Sequence, residues 1–203
     1  MSLSNYANLK AALRDKSHRN DMTDDRLNEF IDQAEADIWQ RLRIRTMDTR
    51  ATASSNATKY LALPTDFIRM RKLTVSSGGI LYELEYRTPM GIQHDSASGI
   101  PQQFTVTSQL EFDRIPSTIT VEMQYFAKLT ALSDANTTND VLTNFPNIYF
   151  YGALKHLYAW TDDEGQEARY DAKFEREIDQ ANKQDKRDGY GPAPAMRLTG
   201  TTP

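Results

Sequence analysis

The segment from Val141 to Trp160 constrains the fold most strongly, because its apolar side chains cover more than one face of a helix. It contains six of the protein's twenty aromatic residues, and its first charged residue is Lys155. Pro146 suits the first turn of a helix, where the N–H group that proline lacks would have no partner. The sequence therefore predicts a helix over residues 146–160 that needs packing partners on two sides.

Two interpretations of the second apolar side of this helix stay open. On a helical wheel, the stripe that faces the chain's own bundle consists of Ile148, Tyr151, Leu154 and Tyr158. The apolar side chains that point elsewhere are Phe150, Leu157 and Trp160. Either the helix is central to the core of one subunit, or these three residues form a candidate interface with another subunit.

Composition excludes several kinds of site. The 203-residue chain contains no cysteine, so disulfides, cysteine nucleophiles and thiolate metal sites are excluded, and synthesis in a reducing cytoplasm is expected. A formal net charge of -4 disfavours nucleic-acid binding by counterion release. We expect no signal peptide, because the N-terminus is amphipathic and charged, and no membrane span, because the uncharged stretch over residues 141–154 is short and interrupted.

Apolar residues at helical spacing predict two helices near the N-terminus. The first covers residues 4–14, and the second covers residues 23–45 with Thr23 as its N-cap. The apolar positions of the second helix are Leu27, Phe30, Ile31, Ala34, Ile38 and Leu42. The cations expected in its last turns, where they favour the helix dipole, are Arg41, Arg43 and Arg45. The polar run over residues 49–58 predicts a mobile loop.

The hydrophobic period then changes from about 3.6 to about 2 residues, which is typical of half-buried strands. The alternating apolar positions are Ile80, Tyr82, Leu84 and Tyr86, and then Ile119, Val121, Met123 and Tyr125. Gly78-Gly79 and Ser108-Gln109 are placed to form hairpin turns. We therefore predict an antiparallel β-sheet lobe over residues 59–126.

A charged helix and an extended tail complete the chain. Residues 163–187 carry only a thin apolar stripe, which predicts a solvated outer helix. Residues 189–203 are rich in proline and glycine, which predicts an extended tail. We expect an α+β fold in which the N- and C-terminal helices form a bundle with an inserted antiparallel β-sheet lobe, organised as a single domain over residues 1–188.

The sequence shows no catalytic, cofactor-binding or metal-binding motif. Its three histidines, which lie in separate elements without a second ligand at helical spacing, are His18, His94 and His156. Nucleophile-elbow and phosphate-binding glycine motifs are absent. We expect His156 to be a packing residue and the chain to be a non-enzymatic protein without cofactor or metal.

Two further function classes are alternatives. A cell-wall-degrading hydrolase would need paired carboxylates, for which the candidates are Glu83 with Glu85 and the cluster of Asp162, Asp163 and Glu164. The first pair shares the outward face of a strand, and we expect the cluster to form the cap and first turn of the last helix. A nucleic-acid-binding module would use the basic cluster of Arg69, Arg71 and Lys72. Carboxylates of a partner are the expected contact for that cluster.

A recognisable pattern covers about residues 24–198. Its most specific strings stand in a fixed order, and the first of them is the strand-entry string Leu63-Pro64-Thr65-Asp66-Phe67. The further positions are Arg69, Leu73, Leu84-Glu85-Tyr86, Pro101, Phe104, Leu110, Phe112, Pro116, Val121, Tyr125, Lys128, Leu129, Leu132-Ser133, Asn139, Leu142, Pro146, Tyr149, Tyr151-Gly152-Ala153-Leu154, Arg187 and Met196-Arg197. Together they resemble the signature of the head-to-tail adaptor (connector) proteins of tailed bacteriophages. Ser108-Gln109 departs from the pattern, since a glycine is expected in that hairpin.

The resemblance implies a structural virion protein of the head-to-tail interface that is present in the host cytoplasm during assembly. Such adaptors form a homo-oligomeric ring of twelve copies, dock on the portal protein and provide the platform for the tail or tail-completion proteins. DNA passes through the channel without specific binding. On this reading the tail over residues 189–203 binds the portal, and its candidate anchors are Met196, Arg197 and Leu198.

Overall fold

The computed structural model describes residues 3–19, 21–55 and 57–189, with side chains up to residue 187. These residues divide into two compact units. The helical unit contains the described residues up to Arg45 and from Thr130 onwards, and the sheet unit contains Thr46–Leu129. The predicted α+β class, with an antiparallel-rich sheet lobe inserted between N- and C-terminal helices, is confirmed. The single domain over residues 1–188 stays a prediction.

Five α-helices build the described part of the helical unit. They are α1 (Tyr6–Ser17), α2 (Asp24–Arg41), α3 (Asp140–Asn144), α4 (Pro146–Trp160) and α5 (Glu164–Gly189). Side chains cap α1, α2 and α3: Asn5 accepts from the N–H of Asn8, Thr23 from that of Arg26, and Asn139 from that of Leu142. The sequence pattern had not indicated α3.

The second predicted helix is four residues too long, because α2 ends at Arg41 and Leu42 is already extended. Side chains of α5 bind the backbone that follows. The N–H of Arg43 donates to Asn182 Oδ1 at 2.8 Å, and the N–H of Arg45 donates to Asp185 Oδ1 at 2.9 Å. Arg43 and Arg45 had been predicted to lie in the last turns of the helix. Hydrogen bonds to side chains of α5 hold their backbone beyond the end of α2 instead. The first helix also runs later than predicted, to Ser17.

Helix α4 is the central element of the helical unit, since both α2 and α5 pack against it. Its buried residues are Ile148, Tyr149, Gly152, Ala153, Leu154 and Leu157. Gly152 permits the close approach of the three helices: a Cβ atom there would lie 3.0 Å from Ala34 Cβ and 3.0 Å from Phe174 Cε2. This segment is thus the central core helix of the helical unit, and α2 and α5, which cover much of it, belong to the same chain.

The sheet unit contains two four-stranded sheets around one core. The strands are β1 (Asp48–Ser54), β2 (Tyr60–Leu61), β3 (Phe67–Ser77), β4 (Ile80–Glu83), β5 (Glu85–Tyr86), β6 (Gln103–Val106), β7 (Leu110–Phe112) and β8 (Thr120–Ala127). The sheet orders are β1-β8-β3-β4 and β2-β7-β6-β5. Both sheets supply buried side chains to the core, including Leu73, Val75, Phe104, Leu110, Phe112, Val121 and Met123.

Both predicted hairpin turns join paired antiparallel strands. Gly78 and Gly79 have φ values of 58° and 81°, which glycine adopts without steric cost. The sheets are not wholly antiparallel, because β5 pairs with β6 in parallel.

The predicted mobile loop over residues 49–58 is wrong over its first part, where β1 pairs with β8 from Asp48 to Ser54. Ala51 and Ala53 pack against the core, while Thr52 and Ser54 are exposed. An edge strand needs only one modestly apolar face, and the small side chains of Ala51 and Ala53 provide it. The sequence of β1 therefore shows no clear alternation of apolar and polar residues. The β lobe consequently begins at β1 rather than at residue 59.

We expect Gly152→Val to lower the free energy of unfolding of the helical unit by about 1–3 kcal/mol, because added methyl groups must displace α2 or α5. Gly165→Val is the matched control, since a Cβ there meets only Asp163 Oδ1 at an ordinary 3.6 Å. Its effect should stay within about 0.5 kcal/mol. Urea unfolding followed by far-ultraviolet circular dichroism measures both, and equal losses would contradict the close approach at Gly152.

Candidate functional site

The three residues predicted as a subunit interface occupy different environments. Leu157 is only 1% exposed, so the expectation that it offers surface to a neighbour is corrected: it packs inside its own subunit. Phe150 is half-buried beside Tyr151, with ring centroids 5.8 Å apart. Trp160 is 44% exposed at the end of α4. Phe150 and Trp160 stay candidates for the interface.

Trp160 lies among cations. The guanidinium carbons of Arg19 and Arg26 are 5.2 and 5.3 Å from its ring, and the Phe30 ring is 6.1 Å away. Such cation–π contacts contribute about 0.5–1 kcal/mol at exposed positions. The indole is thereby held in one place while much of its surface faces solvent.

A buried polar network fixes α4 to α2 and to the segment before α3. Glu35 on α2 is 4% exposed, and its Oε1 accepts hydrogen bonds from the Tyr149 hydroxyl at 2.9 Å and from the N–H of Leu132 at 2.8 Å. Asn139 Nδ2 donates to the Tyr149 hydroxyl at 2.7 Å and to the carbonyl of Thr130 at 3.1 Å. Each of these hydrogen bonds pairs a polar group whose burial without a partner would cost free energy.

Burial shifts both titratable groups of this network. It raises the pKa of Glu35, although the hydrogen bonds from Leu132 and Tyr149 act in the opposite direction. Burial also raises the pKa of Tyr149, and the neighbouring carboxylate raises it further. We assign a structural rather than a catalytic role to this network, because protein encloses both groups.

A second charged cluster joins α2, α4 and α5. Asp37 pairs with Lys155 and lies 3.0 Å from His156 Nε2, while Lys155 also lies 3.5 Å from Asp171. Burial alone would raise the pKa of Asp37, but the hydrogen bond and charge of Lys155 outweigh it, so the pKa is lowered. Burial and then Lys155 lower the pKa of His156. These contacts agree with a packing role for His156.

The other predicted candidates for chemistry are dispersed. His18 ends α1 with a φ of 51°, and His94 contacts Glu111 at 3.3 Å. Within the described residues, no three histidine, cysteine, aspartate or glutamate side chains come together as potential metal ligands.

Several of the carboxylates and cations that the two alternative functions would use form ion pairs on the surface of the sheet unit. Glu83 contacts Lys72 at 2.8 Å, and Glu85 contacts Arg87 at 2.9 Å. Arg71 pairs with Asp48, also within the sheet unit. Ion pairs of this kind explain these residues without a substrate.

The acidic residues around Glu164 serve the start of α5. The side chain of Asp163 accepts from the N–H of Gln166 at 3.1 Å, and Glu164 lies in the first turn. The expected capping role is confirmed.

Exposed apolar side chains occur in the sheet unit, where the alternating pattern had predicted a half-buried face. Tyr60, Ile80, Leu81 and Tyr86 lie on the edge strands β2, β4 and β5 and are 52–67% exposed. Met90 follows them and is fully exposed. The sequence could not reveal this exposure, because period alone does not distinguish an edge strand from a central one.

The predicted portal-binding tail lies outside the described residues, since Met196, Arg197 and Leu198 all follow residue 189. Among the helices that the structure describes, none has the length and apolar character needed to span a membrane.

Residues 4–197 match the family model of the SU10 adaptor protein, and the match covers nearly the whole chain. The chain belongs to the SU10 adaptor protein family. This is a family of structural, non-enzymatic phage proteins, so the adaptor is a component of the bacteriophage virion and associates with other virion proteins. No curated protein matches the chain.

We expect the Glu35→Gln variant to gain stability relative to the wild-type adaptor as pH rises from about 4 to 7. The folded state holds the proton of Glu35 above the ordinary pKa of 4.5. The wild type therefore loses stability as pH rises through the raised pKa, while glutamine keeps the acceptor oxygen without a charge. The measurement is the difference in free energy of unfolding between the two proteins at each pH.

Asp37→Asn is the control of opposite sign. Its folded-state pKa lies below the ordinary 3.8, so the ionised form stabilises the fold above that pH and the stabilisation disappears as pH falls through the lowered pKa. Asparagine should cost about 1–2 kcal/mol at pH 7, and less at low pH. If both variants showed the same pH trend, the assigned environments would be wrong.

Proposed function

We propose that the adaptor assembles as a ring of twelve copies, docks on the portal of the DNA-filled capsid and provides the platform for the tail or its completion proteins. The observation that carries this proposal is the family match over residues 4–197, which includes both the helical unit and the sheet unit. Both units therefore belong to the adaptor, and we assign a partner to each of them. We assign no catalysis to the chain.

The helical unit is the part that we assign to ring formation. A closed ring of identical subunits needs a heterologous contact, in which one surface of each copy fits a different surface of the next. Helix α4 is already covered on two sides by α2 and α5, so the contact has to use the outer surfaces of the unit. Phe150 and Trp160 are apolar contributors at its margin.

The sheet unit is the part that we assign to the tail. Its edge strands expose Ile80, Leu81 and Tyr86, and Met90 is fully exposed. Exposed apolar groups of this size are typical of protein-binding surfaces. Unpaired strand edges add main-chain donors and acceptors that a partner strand could satisfy.

The tail over residues 189–203 is the segment that we assign to the portal, with Met196, Arg197 and Leu198 as anchors. Arg197 can form a bidentate pair with a carboxylate, and the flanking apolar residues can enter pockets. The acidic balance of the subunit, with a formal charge of -4, suits a channel through which DNA slides without specific binding. Assembly takes place in the host cytoplasm, and the mature location is the head-to-tail interface of the virion.

We expect a chain that ends at Gly189 to fold normally and to fail to join portal rings, as viewed by negative-stain electron microscopy of the mixed proteins. The substitutions Met196→Ala, Arg197→Ala and Leu198→Ala, made together, should reduce joining at least about tenfold, because they remove the anchors.

The matched control replaces three threonines of the same segment, Thr199→Ala, Thr201→Ala and Thr202→Ala, and should join like the wild type. Unimpaired joining by the shortened chain would show that another part of the adaptor binds the portal. Absence of rings with the wild-type chain on a portal would contradict the proposed function itself.

A further inference from the structure

Four cations converge on one surface of the helical unit. This basic face consists of Lys16 at the end of α1 and of Arg169, Lys173 and Arg176 on α5. Arg169 and Arg176 lie one turn of α5 to either side of Lys173. Partial loss of water and then the charges of Arg169, Lys16 and Arg176 lower the pKa of Lys173. The face therefore concentrates positive charge on a subunit whose net charge is negative.

Tyrosine rings lie beneath these cations. Lys173 Nζ is 4.7 Å from the ring of Tyr170 and 5.2 Å from that of Tyr151. Tyr158 stacks on Tyr170 with centroids 5.3 Å apart and ring planes 2° from parallel. Phe150, half-buried beside Tyr151, extends the aromatic surface. Aromatic side chains accompanied by arginine are characteristic of protein–protein interfaces rather than of ordinary solvent-exposed helices.

Among the described residues, the basic face has little compensation from carboxylates. Among the side chains that the structure describes, none forms an ion pair with Lys16, Arg169 or Lys173, and Arg176 contacts only Glu177, at 3.4 Å. Like charges held together in this way repel one another, and an anionic partner would remove that repulsion.

The outer surface of α2 carries the opposite charge. This acidic face consists of Asp25, Glu29 and Asp32, which share a shallow groove with Asn28, Gln33 and Ala36. Asp25 and Asp32 form no ion pair with the described side chains, and Glu29 contacts Arg26 on its own helix at 2.7 Å. Loss of water around Asp32 raises its pKa, so this carboxylate would also gain from a nearby cation.

The two faces match in spacing as well as in sign. Asp25, Glu29 and Asp32 lie at positions i, i+4 and i+7 of α2, and Arg169, Lys173 and Arg176 have the same spacing on α5. Each set spans about 10 Å along its helix axis. Because α2 and α5 are separate helices packed on α4, one copy can offer both faces at once, as a head-to-tail contact requires.

We propose that the basic face of one copy docks on the acidic face of a second copy. This inference rests on the proposed function, since it names the surface by which neighbouring copies meet in the ring. In a closed ring every acidic face and every basic face is paired, whereas binding of DNA phosphates would use the basic face and leave the acidic face unexplained.

Reciprocal charge reversal tests the pairing. One variant carries Arg169→Glu and Lys173→Glu, and the other carries Glu29→Lys and Asp32→Lys, both in the full chain. Each alone brings like charges together, so ring formation on portal rings should fall at least about tenfold. An equimolar mixture restores opposite charges at every contact of an alternating ring and should restore assembly. Rings are counted by negative-stain electron microscopy at low salt.

Two controls make the result specific. Lys183→Glu with Lys186→Glu changes the net charge by the same amount as the first variant but lies farther along α5, and it should assemble like the wild type. A chain that carries both reversals should assemble by itself. Circular dichroism identifies any variant that fails to fold. The double-reversal chain is then compared with the two single-face variants, because it contains all four of their substitutions and restores opposite charges at each contact.

Three outcomes would overturn the inference. The first is undiminished assembly of both single-face variants. The second is failure of the mixture and of the double-reversal chain to assemble while the wild type forms rings. Either outcome would contradict the pairing of the two faces but not the proposal that the adaptor forms a ring. The third is retention of duplex DNA by the wild type at low salt that Arg169→Glu with Lys173→Glu abolishes, which would assign the basic face to nucleic acid. Absence of rings with the wild type would instead contradict the proposed function.

Discussion

The close packing of α4 between α2 and α5 is the constraint on which the helical unit depends. It requires a residue without a side chain at Gly152, where Ala34 and Phe174 approach from two helices. Because α2 and α5 of the same chain cover the buried residues of α4, the subunit does not need a neighbour to complete its core. The surfaces that we assign to contacts between copies are the outer faces of α2 and α5, with Phe150 and Trp160 of α4 at the margin.

Polar contacts fix the same arrangement. Glu35 holds Tyr149 and the backbone of Leu132, so α2, α4 and the chain that returns from the sheet unit share one buried hydrogen-bond network. Asp37 adds the pairing with Lys155 nearer the surface. A helical unit held by both kinds of contact can present its outer charges in a fixed register, and electrostatic pairing gives orientation and specificity more than affinity.

Much of this organisation could be predicted from the sequence, and the failures have local physical causes. Strict helical spacing located α2 and α4, and alternation located β8. The end of α2 was missed because Asn182 and Asp185, far along the chain, supply the hydrogen bonds that end it. Strand β1 was missed because an edge strand needs little apolar surface. A helical wheel showed that α4 has apolar residues on more than one side, but it could not show that Leu157 would be covered by its own subunit. Nor could it show which charged faces would be left without partners.

We infer that each subunit is a complete fold and that copies meet through charged outer faces. The most direct measurement is the urea midpoint of the full-length adaptor over about a hundredfold range of protein concentration in high salt, where charge pairing between copies is screened. We expect a midpoint that does not change with protein concentration. A midpoint that rises with concentration would contradict it, because stability would then depend on contacts between copies.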